Sequence, residues 1–180
     1  KAAKRPILIG GHGVWWSGAE HQLEEAGRKL EIPVYNIPYH QKLLGEQSAA
    51  YMGLADIHQY HPSKDAFGEA DLVLMVGGRL DNQMNFGNAP LFPQSTELIC
   101  INGSHEEVDF NRAADMTLLS DPGAFFDALI SLGESARSGR DEGWFALNRQ
   151  RRIDWIAGMQ ADVDAEAAAP EFGGRIHPLL

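Results

Sequence analysis

Cysteine is almost missing from this chain: of 180 residues, Cys100 is the only one. A lone cysteine excludes a disulfide framework within the chain and a thiolate cage for a metal. That usage fits a reducing, cytoplasmic setting. Basic charge is also scarce, with 15 Lys and Arg against 25 Asp and Glu and a net charge of −10. No basic cluster interrupts this balance, so the chain would repel a phosphate backbone, and nucleic acid is not expected as a partner. Apolar runs stay well short of the roughly 20 residues that a membrane-spanning helix needs. The opening "KAAKRP" leads into a strand and lacks the apolar core of a signal peptide, so no membrane partner is expected. Internal repeats and low-complexity tracts are absent too.

What the chain has is a series of short, β-branched apolar runs: Ile7 to Ile9, Val34 to Ile37, Leu72 to Val76, Leu98 to Ile101 and Met116 to Leu119. Most lack polar alternation, which points to strands covered on both faces, as in a parallel sheet. Helical patterns lie between several of them. Ser17 with Glu20 and Ser104 with Glu107 match the capping box, in which a hydroxyl and a carboxylate satisfy orphan amides at a helix start. Asp121 with Pro122 is a third start signal, because proline's fixed φ suits the first helical position. "GESARSGRDEG" reads as a loop or linker, and "WFALNRQRRIDWIAGMQADVDAEAAA" as one or two helices. The expected fold is therefore α/β, a three-layer, Rossmann-like, doubly wound parallel sheet of five to six strands. In such sheets ligands gather at the carboxyl ends of the strands, here "GGHGVWWS", "PYHQKLLGEQ", "GGRLDNQMNFG", "NGSHE" and "SDPG".

Little conventional chemistry stands out in these segments. Read from Gly11, a dinucleotide fingerprint would need a third glycine where Trp16 stands, and the second strand ends "NIPYH", without an acid for a ribose hydroxyl. His58 and His61 have a spacing that suits zinc on a helix, but two histidines alone, without a carboxylate or thiolate partner assigned to them, do not complete a ligand set, which favours a solvated loop. Ser104, His105 and Glu106 are adjacent, so they point apart and imply no nucleophilic triad. Cys100, Trp144 and Trp155 read as core residues. Trp15 and Trp16, on a glycine loop at the strand ends, read equally as pocket walls or as a domain interface. No catalytic and no metal-ligating residue is assigned.

The stretches "AKRPILIGGHGVWWSGA", "YMG", "ADLVLMVGGRLD", "NFG", "ELICINGSHEEVDFNRAADMTLLSD" and the closing "RIHPL" together carry a family likeness. The chain resembles the central domain of thiamine-diphosphate-dependent enzymes, in the branch of acetolactate synthase, benzaldehyde lyase and oxalyl-CoA decarboxylase. The likeness runs from residue 2 to about residue 132 and resumes at the last few residues. It implies a central α/β domain over residues 1–133, a helical extension and linker over 134–175, and the start of a following domain at 176–180.

The resemblance further implies a subunit in which a pyrimidine-binding domain precedes this one and a diphosphate-binding domain comes after it. The whole enzyme would be a homodimer or homotetramer using thiamine diphosphate and Mg2+, whose binding groups lie in the neighbouring domains. This segment alone would be inactive, serving as scaffold and interface. Some members also hold FAD or ADP in the central domain. Carried over, that nucleotide site falls on Gly10, Gly11 and Gly13, on Gly53, on Gly77, Arg79 and Asp81, and on Asn102 and Asp121. In this picture Arg79 pairs with phosphate and Asp121 accepts from a hydroxyl or an amide. Three departures from the pattern argue against FAD and leave ADP open. Asn102 stands where an acid is usual, Gln83 replaces a second arginine, and the "HG" common after "YMG" is absent. The competing reading is a free-standing nucleotide-binding module, a flavoprotein or an NAD-dependent deacylase-like domain.

Overall fold

The computed structural model describes residues 3–38, 43–58, 60–109 and 111–167. The closing "RIHPLL", the start of a following domain expected at 176–180, and part of the "PYHQKLLGEQ" loop lie outside the described residues. Six parallel strands form one sheet: β1 (Pro6–Gly10), β2 (Val34–Asn36), β3 (Tyr51–Leu54), β4 (Leu72–Val76), β5 (Glu97–Asn102) and β6 (Met116–Leu119). Their spatial order is β3-β2-β1-β4-β5-β6, so the chain winds outward from β1 in one direction and then from β4 in the other. This is the doubly wound arrangement that alternating strands and helices dictate, with the reversal between β1 and β4.

Alternate side chains of β1 to β5 enter opposite cores, whereas the edge strand β6 is exposed at every position. Ile7 and Ile9 of β1, Tyr35 of β2 and Met75 of β4 join Phe67, Phe92 and Trp144 on one face. Leu8, Val34, Leu74 and Val76 join Leu23, Leu30 and Phe126 on the other. Because both faces are covered, β1 is buried at every position, which explains its unbroken apolar run. The helices are α1 (His12–Trp16), α2 (Glu20–Leu30), α3 (His61–Glu69), α4 (Pro122–Ser131) and α5 (Trp144–Ala167). The second face is covered by α2 and α4, the first by α3 and α5.

Several local expectations need correction. β3 falls outside the apolar runs picked from the sequence, because Gly53 interrupts its short segment. Ser17 does not open a helix. It ends the five-residue α1, with its hydroxyl donating back to the Val14 carbonyl at 3.1 Å. Gly18, at φ +65°, then turns the chain, and α2 starts after Ala19 without a side-chain cap. Ser104 caps only a 3-10 turn, His105–Glu107, accepting from the Glu106 N–H at 3.4 Å. Glu107 does not reach back, since the Ser104 N–H already donates to Asn102 Oδ1 at 3.3 Å. Asp121 does cap α4, accepting from the Ala124 N–H at 3.0 Å, with Pro122 at the first helical position.

The stretch after α4 is built into the same core. α5 is one helix of 24 residues, and Trp144 at its start is fully buried, its indole N–H donating to the Pro6 carbonyl at 2.8 Å. Asn148, one turn on, accepts from the Tyr35 hydroxyl at 3.0 Å. Trp155 packs edge-on against Tyr60, centroids 5.9 Å apart. No helix among the described residues is long and apolar enough to cross a membrane.

Candidate functional site

The reversal of winding leaves the loops after β1 and β4 side by side. Their glycines meet each other. The Gly11 N–H donates to the Val76 carbonyl at 2.9 Å, and the Gly13 N–H to the Gly77 carbonyl at 2.8 Å. A Cβ on Gly11 would stand 2.5 Å from both the Gly77 oxygen and the Gly78 Cα, and one on Gly13 would stand 2.7 Å from the Gly77 Cα. Gly77 itself sits at φ +64°, a region that side chains disfavour. These glycines therefore let two backbone turns touch. Gly10, next to them, faces Leu43, whose side chain a Cβ would meet at 2.9 Å.

Above this crossing opens a cleft of about 800 Å³, within the range usual for small-ligand sites. Of the residues expected at a nucleotide site, Gly13, Gly77, Arg79, Asp81 and Asn102 line it together. Two others are placed elsewhere. Gly53 lies on β3 at φ +119°, and its missing side chain is replaced by the ring of Tyr60, 2.3 Å from where a Cβ would stand. Asp121 is engaged at the start of α4, which packs beside the start of α2, and is not among the lining residues.

The cleft also takes in residues outside that expected set. Phe86 is half exposed at its wall and sits, with Asn85, in the left-handed region at φ 54° and 49°. That backbone is held by Asp81, whose carbonyl accepts from the Phe86 N–H at 2.7 Å and whose carboxylate accepts from the Gln83 N–H at 3.1 Å. Trp16 is 77% exposed and lines the same cleft. Asn111 donates to the Leu80 carbonyl at 2.7 Å. Phe86 and Asn111 lie within stretches that carry the family likeness, but neither is singled out as a site residue, because irregular loop backbone brings each of them in. Glu107, expected from its spacing to cap a helix, instead forms a two-pronged ion pair with the Arg79 guanidinium. That contact holds the Glu107 carboxyl below its usual range and raises Arg79 above its own. Among the described lining residues Arg79 is the one cation, with Asp81 and Glu107 as acids.

The remaining candidates are not among the residues that line the cleft, and His61 opens α3 instead of lying on a loop. Among the described residues no group of His, Cys, Asp and Glu could hold a metal. His58 is exposed, and the His61 ring lies against Trp155 at 5.0 Å. Cys100 is buried in β5, and burial pushes its thiol up to about 11.

Over residues 1–129 the chain matches the family model described as thiamine pyrophosphate enzyme, central domain. The chain belongs to this family. Among its relatives, an acetolactate synthase large subunit from Cyanidium caldarium is 26% identical over 140 residues, covering 78% of this chain and 24% of that protein. A 2-hydroxyacyl-CoA lyase 1 from Dictyostelium discoideum is 33% identical over 112 residues, covering 62% and 17%. An X-ray structure assigned to a thiamin diphosphate-dependent enzyme from Mycobacterium smegmatis superposes with a TM-score of 0.60 at 25% identity, covering 73% of this chain and 25% of that one. The chain thus spans about a quarter of the length of the first relative it matches.

The family name implies thiamine diphosphate, and the described residues of this central domain do not fit it, since they offer no metal-binding group for the cation that would accompany its diphosphate. A nucleotide in the cleft fits in part. Trp16 and Phe86 present apolar surface to a flat ring. The phosphate end fits poorly, with the Gly13 N–H already given to Gly77 and Arg79 to Glu107.

Proposed function

We propose that this domain is the structural centre of a larger thiamine diphosphate-dependent carboligase or decarboxylase, acting on a 2-oxo acid or an acyl donor, and that it contributes no reacting group. In the whole enzyme thiamine diphosphate supplies the electron sink, and it is held, with Mg2+, by pyrimidine-binding and diphosphate-binding domains on either side. The observation that carries this reading is the family match over residues 1–129. The surface supports it. Met116, Leu118 and Leu119 along β6, and Ile153, Ile156 and Met159 on α5, are exposed apolar side chains that neighbouring domains or subunits would cover.

The cleft at the β1–β4 reversal is the adapted remnant of a nucleotide pocket, with apolar surface from Trp16 and Phe86 for the ring of ADP and no provision for flavin. Two calorimetric titrations test these readings. The chain should show no micromolar binding of thiamine diphosphate with Mg2+, and saturable micromolar binding would overturn the scaffold assignment. ADP should bind weakly, and its heat should disappear in Trp16→Ala. Binding that survives this substitution would place ADP outside the cleft.

A further inference from the structure

Part of the cleft wall is made by two loops, one after β4 carrying Arg79 and one after β5 carrying Glu107, 28 residues apart in sequence. Their side chains meet with both guanidinium prongs engaged, Nε on one carboxylate oxygen and Nη2 on the other. A planar two-pronged contact of this kind is what an arginine offers to a phosphate, and carboxylate and phosphate compete for the same fork. Glu107 is not turned this way by its own turn, whose hydroxyl cap is Ser104 and whose orphan Ser104 N–H is met by Asn102.

We propose that Glu107 is an internal anion that occupies the cleft's arginine and keeps phosphate groups out. On the proposed nucleotide reading, on which the ligand class rests, the cleft then selects an uncharged nucleoside over its phosphorylated forms. The second acid on the wall, Asp81, works in the same direction: its carboxylate is already taken by a backbone amide, and its charge faces an entering phosphate. The backbone offers little in exchange, because the Gly13 N–H, at the start of the short α1, is given to Gly77.

The experiment is a set of calorimetric titrations of the chain, of Glu107→Gln and of Arg79→Ala/Glu107→Gln, with inorganic pyrophosphate, adenosine and ADP as probes. Both side chains are partly exposed, so the variants should keep the wild-type circular dichroism spectrum. Wild type should give no saturable heat with pyrophosphate and should bind adenosine at least as well as ADP. In Glu107→Gln, pyrophosphate should bind saturably and ADP should tighten by up to about fivefold, or about 1 kcal/mol. Both gains should vanish in the double variant, while adenosine stays unchanged throughout. Pyrophosphate binding to wild type, no gain in Glu107→Gln, or a gain that persists without Arg79 would overturn the role given to Glu107. If Glu107→Gln gains pyrophosphate but adenosine binds to none of the three proteins, the internal anion stands and the nucleotide reading falls.

Discussion

Tyr35→Phe removes a single oxygen from the buried link between the sheet and α5. The Tyr35 hydroxyl leaves the middle of β2 and donates to Asn148 Oδ1 on α5 at 3.0 Å, with both residues almost wholly buried. The Asn148 amide in turn donates to the Trp144 carbonyl at 2.8 Å, and the Trp144 indole to Pro6 at 2.8 Å. Taking away the phenol hydroxyl leaves a buried carboxamide oxygen with no donor, a loss of about 1 to 3 kcal/mol. For a domain of this size each kcal/mol lowers Tm by roughly 2 to 4 °C, so the expected drop is about 2 to 12 °C. Asn148→Leu strands the hydroxyl instead and should cost about the same. The double variant buries neither polar atom, so it should be less destabilised than the sum of the two by about 1 kcal/mol or more. Urea melts with an unchanged slope would give these differences as midpoint shifts. Additive effects within about 0.3 kcal/mol would show that Tyr35 and Asn148 do not interact, and the docking of α5 on the sheet would have to be rebuilt.

Three further outcomes are expected. Gly11→Ala forces a Cβ to 2.5 Å from two backbone atoms and should cost about 3 kcal/mol or more. Gly103→Ala, with nothing within 4 Å, should stay within about 0.5 kcal/mol of wild type, and thermal melts that rank the two alike would refute the glycine crossing. Cys100, with its thiol pushed up to about 11, should resist a thiol reagent at pH 8 in the folded chain and react on adding denaturant; rapid labelling of native protein would count against the β5 burial. The Glu107 carboxyl is held below its ordinary 4.5 by Arg79, so the pair stabilises the fold above that pH and the contribution is lost as pH falls through the lowered value. Because the pair is partly exposed its share is under about 1 kcal/mol, and the Tm difference between wild type and Glu107→Gln should close on acidification rather than widen.

The fold was readable because it rests on periodicity. Unbroken apolar runs such as Leu72 to Val76 arise only where both faces of a strand are covered, and Asp121 with Pro122 marks a helix start through local chemistry alone. The gathering of Gly13, Gly77, Arg79 and Asp81 was also legible, since strand ends at the reversal of a doubly wound sheet must lie together. Roles were harder to read than positions. Glu107 has the same spacing from Ser104 whether it caps a turn or clasps Arg79, and the choice depends on a loop 28 residues away. "GGHG" and "GGR" advertise backbone without side chains, but only the register of β1 against β4 shows that each turn makes room for the other. Phe86 and Asn111 reach the cleft on irregular backbone, where no period exists to follow. Local composition and period thus determined five of the six strands and the α/β class, because these depend on neighbours in sequence. Tertiary structure decided which residues line the cleft and what its one described cation holds, because those depend on partners that only folding brings within reach.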